Sequence, residues 1–418
     1  MADPGGFSAT VVIPAYNRAE LLRGTLTALA ANRPPGGGAF EVVVADDGST
    51  DHTRAVVQEF GGRLTVRYCF QEDLGFRAAA ARNAGARLAS APVLIFLDAG
   101  VRPGPDFVRA HLDAQCAGPR AVVGYTYGYR PDVSVPDALA AVRQDLDPAE
   151  EVRRHGSSDA LRDVRQPAFE RFGYDLAATV VPWQWFWSVN CSVRSADFRA
   201  ANGFDEDFRS WGGEDLDLGY RLHRGGTAFT VSRVAWALDT PHQRSPGDDL
   251  ASNAANIAML ADKHPEPVTE LLWAFFARPA DRFEIHHEWN VEDEYRLVLA
   301  AAERARGTDV RAELAALHGF PADQRVAVLG CGADLPAGRT AGVRWFDFDG
   351  RLAGAAAPGG RVEHALGVRL PCADGSVDRI LVTSRLAGLW ERWQEHIVAE
   401  GHRLGARVEV PFLHSTAW

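Results

Sequence analysis

Lysine is nearly missing from this chain. Lys263 stands alone among 44 basic residues, so arginine carries almost all of the positive charge, a bias that fits genome composition better than any one function. Cysteine is sparse as well: Cys69, Cys116, Cys191, Cys331 and Cys372 are widely scattered, odd in number and free of any Cys-x-x-Cys pair. That pattern implies neither a disulfide framework nor a zinc site and fits reduced thiols. No uninterrupted apolar stretch reaches the roughly 18 to 20 residues that a membrane-spanning helix needs. Met1 to Gly6 shows neither a basic segment nor an apolar one, so no signal peptide is expected and the cytoplasm is the expected location. An excess of positive charge is also absent. The formal net charge of -11 argues against a general nucleic-acid or anionic-membrane binder, while leaving room for a local basic pocket around a phosphate.

What is present is enough material for a large core and more than one domain: 418 residues, 46% hydrophobic and 24% charged. The first hundred residues alternate strand-like and helix-like pieces. Ala9 to Ile13, Phe40 to Ala45, Leu64 to Cys69 and Val93 to Leu97 read as strands, and Leu22, Thr25, Leu26 and Leu29 recur at helical spacing until Pro34-Pro35-Gly36. An alanine-rich helix is expected from about Arg77 to Leu88. This βαβα order predicts an α/β fold with a mostly parallel sheet flanked by helices. Residues 117–182 are less regular, 262–317 read as a helical linker region, and the pattern resets near 318. The expected organisation is therefore 1–261, 262–317 and a small α/β, Rossmann-like domain over 318–418.

In open α/β sheets ligands bind beyond the carboxyl ends of the strands. Polar residues follow three of them here: Tyr16-Asn17, Asp46-Asp47 and Asp98. Downstream, Trp183, Trp185, Phe186 and Trp187 form a dense aromatic run whose faces can carry a sugar ring or a side chain, with one or two of the four expected at the surface. Trp211-Gly212-Gly213-Glu214-Asp215 then places two adjacent carboxylates behind an indole. The same letters describe a helix N-terminus, since carboxylates in the first turn complement the macrodipole. The two readings are compatible, because a helix start can hold a general base in place.

These motifs, in this order over about residues 8–245, resemble the family 2 glycosyltransferases of GT-A fold. Val11 to Arg18 resembles the family's opening strand and nucleotide loop, and Val44 to Asp51 its second. Gly75-Phe76 with Ala81-Arg82-Asn83 resembles the segment that helps cover the diphosphate, and Phe96-Leu97-Asp98 the start of the Asp-x-Asp motif. Asn190, Phe204-Asp205-Glu206 and Trp211 to Tyr220 resemble acceptor-side segments of chondroitin-type polymerases and β1,4-galactosyltransferases. The resemblance implies an inverting hexosyltransferase in which Asp215 deprotonates the acceptor and Glu214 orients it. Donor contacts are expected from Pro14, Tyr16, Asn17, Arg18, Asp47, Arg82 and Asp98, with Asp47 facing an N–H of a uracil-like base. Acceptor contacts are expected from Trp211, Trp185, Trp187 and Asn190. The implied partners are a nucleotide-sugar, most simply a UDP-sugar, and a glycan, small natural product or peptide acceptor, with a homodimer left open.

Asp98-Ala99-Gly100 departs from the pattern, because Gly100 replaces the second aspartate that would bind Mn2+ or Mg2+. Asp98 with His242, which stands where relatives place a later histidine ligand, is the expected metal set. Metal-free catalysis through arginines is the next alternative, and a catalytically silent nucleotide- or glycan-binding protein the third. The segment Val326 to Gly332, with Asp347 or Asp349, resembles the opening of a class I S-adenosylmethionine-dependent methyltransferase. The glycine loop lacks its third glycine and only about 100 residues remain, short for an α/β domain. A truncated accessory domain is therefore expected, with S-adenosylmethionine not expected as a cofactor. A bifunctional glycosyl- and methyltransferase is the alternative.

Overall fold

The computed structural model describes residues 6–32, 39–116, 118–129, 147–240, 246–276, 291–336 and 342–413. The chain divides into two compact units, Met1–Asn256 and Ile257–Trp418. The first is built on an eight-stranded sheet. Its strands are β1 (Phe7–Ala15), β2 (Ala39–Asp46), β3 (Val66–Phe70), β4 (Val93–Leu97), β5 (Val101–Pro103), β6 (Arg120–Tyr127), β7 (Asn190–Arg194) and β8 (Ala228–Asp239), in the order β3-β2-β1-β4-β7-β6-β8-β5.

The left half, β3-β2-β1-β4, is parallel throughout. Val42, Val43 and Val44 of β2 and Val11, Val12 and Ile13 of β1 are fully buried. Continuous β-branched runs of this kind suit strands covered on both faces. The helix Ala19–Ala30 buries Leu22, Thr25, Leu26 and Leu29, the one-face spacing of an amphipathic helix. The right half is mixed. β7 runs antiparallel to both β4 and β6, β6 is parallel to β8, and β5 closes the edge antiparallel to β8.

The reversal at β4 and β7 positions the site. Because β7 is antiparallel to β4, its first residue lies beside the last residue of β4, and Leu97 pairs with Asn190. The residues just before β7 are thereby brought to the carboxyl ends of the parallel strands, where Tyr16, Asp47 and Asp98 already lie.

The second unit carries a six-stranded sheet of β9 (Val326–Leu329), β10 (Val343–Asp347), β11 (Ala356–Ala357), β12 (Gly360–His364), β13 (Arg379–Val382) and β14 (Arg407–Glu409), ordered β11-β12-β10-β9-β13-β14. All neighbours are parallel except the β11–β12 hairpin. Helical residues beyond 262, read from the sequence as a linker region, belong to this unit.

Candidate active site

Arg82 is the centre of the site. It lies in the helix Ala78–Leu88 with a nearly fully buried side chain, donates through Nη1 to Glu214 Oε1 at 2.9 Å and through Nη2 to Asp98 Oδ1 at 2.8 Å. A planar guanidinium can serve two carboxylates at once, which a lysine ammonium does less well. Its Cζ also sits 5.5 Å from the Phe204 ring. The two acids raise the Arg82 pKa against the burial that opposes it, so the charge is permanent. One side chain thus ties the end of β4 to the start of the helix Glu214–Arg224.

Asp215 follows Glu214 at that helix start. Its Oδ2 accepts the Ser188 N–H at 3.1 Å and faces the Ser188 hydroxyl at 3.5 Å, while Oδ1 accepts the Leu216 N–H at 2.8 Å. The residue is half-buried and keeps some access to solvent. Burial, then the Glu214 charge, push its carboxyl up to about 7, against the Ser188 N–H, Arg82 and the Leu216 N–H. Asp98 is joined to the same patch through its own N–H, which donates to Val189 O at 3.3 Å. Asp98, Arg82, Glu214, Asp215 and Ser188 therefore form one cluster, with Glu214 Oε2 buried and without a hydrogen-bond partner.

The loops that follow β1 and β2 are held by their own polar residues. Asp46 Oδ1 accepts the N–H groups of Gly48 and Ser49, and Asp47 Oδ2 accepts the Arg77 N–H at 2.8 Å at the start of the Arg82 helix. Asn17, at a left-handed φ of 49°, accepts through Oδ1 from the N–H groups of Thr50 and Asp51 and donates its own N–H to Ser49 Oγ. It staples the loops after β1 and β2 together. Tyr16 is exposed and donates to Asp73 Oδ2 at 2.8 Å. Tyr16 through Leu21 with Asp51 and His52 border an open hollow of about 560 Å3; Arg18 lies half-buried on its rim, and Pro14 is half-buried in β1.

The aromatic run divides in two. Trp183 and Phe186 are buried, whereas Trp185 and Trp187 are half-buried. Trp211 is half-buried too, its carbonyl held by Ser252 Oγ at 2.9 Å. Asn190 corrects an expectation. It is fully buried, donates to Tyr125 O and Ala235 O, and its Oδ1 meets His111 Nε2 at 3.0 Å, so its amide is fully occupied inside the sheet and is not free for an acceptor. His242 falls outside the described residues.

Residues 10–162 match the family described as glycosyl transferase family 2, and residues 172–242 match the N-terminal domain of galactosyltransferase. Validoxylamine A glucosyltransferase of Streptomyces hygroscopicus subsp. limoneus is 43% identical over 418 residues, covering 97% of this chain and 90% of that protein. The chain is a family 2 glycosyltransferase. Chondroitin synthase of Escherichia coli is 30% identical over 272 residues, 61% of this chain and 38% of that one. S. aureus TarS 1-349 with UDP-GlcNAc aligns over 73% of this chain and 83% of that one, at 15% identity and a TM-score of 0.46.

The glycosyltransferase has the mixed α/β GT-A fold, and both family matches lie in its first unit. Where the resemblance would place a second aspartate, Gly100 has a backbone requirement of its own. Gly100 has a φ of 101°, its N–H donates to Thr25 Oγ1 and its carbonyl accepts from Thr240, so a side chain there would meet strain as well as Leu21 at 3.4 Å. Among the described residues no group of three or more His, Cys, Asp or Glu is placed to hold a metal ion. Asp98, with one oxygen on Arg82, does not by itself make a divalent-cation cradle.

The sequence reading missed three positions of the glycosyltransferase. Ser188 holds Asp215, Arg165 braces the aromatic segment, and Asn256 donates to the carbonyls of Ser210, Trp211 and Gly212 at 3.1, 3.3 and 2.6 Å. None belongs to a local pattern, so only the fold brings them in.

Proposed function

We propose that the enzyme transfers a hexose, most simply glucose from UDP-glucose, to a hydroxyl of a small natural product of the validoxylamine A kind, with inversion at the anomeric carbon. The acceptor class is supported by the relative named validoxylamine A glucosyltransferase, whose likeness runs through nearly the whole chain. The observation that carries the mechanism is Asp215, a partly accessible carboxylate pushed up to about 7 and held by the Ser188 N–H within the Arg82 cluster. A base with a pKa near the working pH balances availability as carboxylate against driving force for taking the proton.

In this reading the acceptor hydroxyl docks on Trp185, Trp187 and Trp211, with Glu214 Oε2 accepting a second hydroxyl. Asp215 removes the proton from the attacking oxygen as the bond to the anomeric carbon forms. The bond to the nucleotide diphosphate breaks on the opposite face, and the diphosphate leaves with its charge toward the cationic Arg82 while the uracil stays on Asp47 and Tyr16. The described residues do not complete a cation site, so no step is assigned to Mn2+ or Mg2+.

Incubation of the protein with UDP-glucose and validoxylamine A, followed by NMR of the product, tests this. The expected product carries a β-anomeric proton from the α-configured donor, and Asp215→Asn lowers kcat by about 10²- to 10⁴-fold. A product of retained configuration, or an Asp215→Asn enzyme as fast as the parent, defeats the proposal.

A further inference from the structure

Asp163 and Arg165 form an ion pair with both side chains at 0% exposure, and neither belongs to the carboxylate cluster itself. The contact is fork on fork: Arg165 Nε to Asp163 Oδ1 at 3.0 Å and Nη2 to Oδ2 at 2.8 Å. Removing two charges from water is costly, and replacing such a pair with apolar residues is often neutral or stabilising. A pair kept in this setting needs its remaining donors and acceptors satisfied, and where those bonds go shows what it holds.

They go to two segments. Arg165 Nη2 donates to Gly124 O at 3.1 Å and Asp163 Oδ2 accepts the Thr126 N–H at 2.8 Å, which fastens the pair to β6. Arg165 Nη1 donates to Trp185 O at 3.1 Å, and the guanidinium carbon lies 4.8 Å from the Trp187 ring and 5.3 Å from Phe169. A guanidinium over an indole face is attracted by the ring quadrupole, and more strongly where water is excluded. Trp187 is held on other sides by Tyr129, ring centroids 5.7 Å apart, and by its own Nε1 donating to Gln184 O at 3.0 Å. The next residue is Ser188, whose N–H holds Asp215.

Resting on the assignment of Asp215 as base and of Trp185 and Trp187 as acceptor platform, we infer that Arg165, locked by Asp163, is a positioning residue. It fixes the indole platform against β6 and, through Ser188, the direction of the Asp215 carboxylate. It touches no substrate. A misplacement of the base by about 1 Å is enough to cost on the order of 10²-fold in rate.

Removing one partner alone would leave a buried unpaired charge, and such a variant is prone to unfold. The informative variant is the double change Asp163→Asn with Arg165→Met, compared with Arg165→Lys, which keeps the charge but loses the planar fork and the stacking. Folding of each is checked by circular dichroism and thermal melting. UDP-glucose hydrolysis then reads base alignment with water as acceptor, and transfer to validoxylamine A reads base and platform together.

In the folded double variant, hydrolytic kcat falls roughly 10- to 100-fold with the UDP-glucose KM within about twofold, and the validoxylamine A KM rises about tenfold. Arg165→Lys falls between the double variant and the parent. A folded double variant whose hydrolysis and transfer constants all stay within about twofold of the parent overturns the inference. Asp215→Asn, run alongside, separates the two levels. If it hydrolyses UDP-glucose at the parental rate, the base assignment is lost and the inference with it; if Asp215→Asn is slow while the double variant is fast, only the positioning role is lost.

Discussion

In the proposed mechanism Asp215 acts as a carboxylate, yet its surroundings resist the charge. Burial and Glu214 push its carboxyl up to about 7, so the folded protein holds a proton that the unfolded chain, near 3.9, has already released. Between those values the folded state binds more protons, and stability therefore falls as pH rises through that window. Catalysis runs the other way. UDP-glucose hydrolysis should rise about tenfold per pH unit below pH 7 and level above it. Asp215→Asn removes both effects: its Tm should exceed that of the parent at pH 8 and approach it near pH 5. Thermal melts at the two pH values check this, and a difference that does not grow toward pH 8 contradicts the assignment. Stability given up for a functional charge is a common trade at active sites.

The turn before the Glu214–Arg224 helix shows how an element aims its residues. Gly212 and Gly213 both take φ near 90°, the left-handed region that a side chain disfavours, and a Cβ on Gly212 would lie 2.3 Å from Asn253 Oδ1. Asn256, on the helix Pro246–Lys263, gathers the three carbonyls of this turn with one amide. Asn256→Ala should cost about 1 to 3 kcal/mol in stability, measured by urea denaturation, as those carbonyls lose their donor. It should also lower hydrolytic kcat about tenfold with little change in the UDP-glucose KM, because the turn sets where Glu214 and Asp215 point. A variant with parental kcat would mean the turn holds itself. Elements of this kind were partly legible in the sequence. The buried apolar runs placed β1, β2 and β4 within two residues of their ends, and the Gly-Gly-Glu-Asp start of the helix stood out. The antiparallel β7 did not stand out, nor did Asn17 as a loop staple or Asn190 as a core residue. Their roles depend on partners 32 to 79 positions away or on strand direction, and neither leaves a local period to read.

At the scale of the whole molecule the second unit asks for a different account from the first, because its parallel order β12-β10-β9-β13-β14 has the form of a cofactor-binding sheet while its carboxyl edge is filled from within. Arg385, nearly fully buried, binds Asp347 through Nε at 2.9 Å and Nη2 at 3.1 Å, and Nη1 donates to Ala305 O. Asp347, the acid that the methyltransferase resemblance would offer to a ribose, also accepts the Gly332 N–H and is fully buried. A Cβ on Gly330 would lie 2.5 Å from Leu386 and 2.8 Å from Thr383, and Gly332 takes a left-handed φ of 69°, so both positions favour glycine without a ligand. Beyond β12, Glu270 accepts the four backbone N–H groups of Leu366, Gly367, Val368 and Arg369, a nest that elsewhere would suit an external anion. Calorimetric titration with S-adenosylmethionine at millimolar concentration should therefore give no binding heat, and a measurable Kd would refute this. Arg385→Ala should destabilise by about 3 to 5 kcal/mol, since it strands Asp347 as a buried charge, whereas Asp347→Asn with Arg385→Met should be milder. If the single variant melts like the parent, the pair is not what closes the crevice, and the glycine loop regains its claim to a ligand.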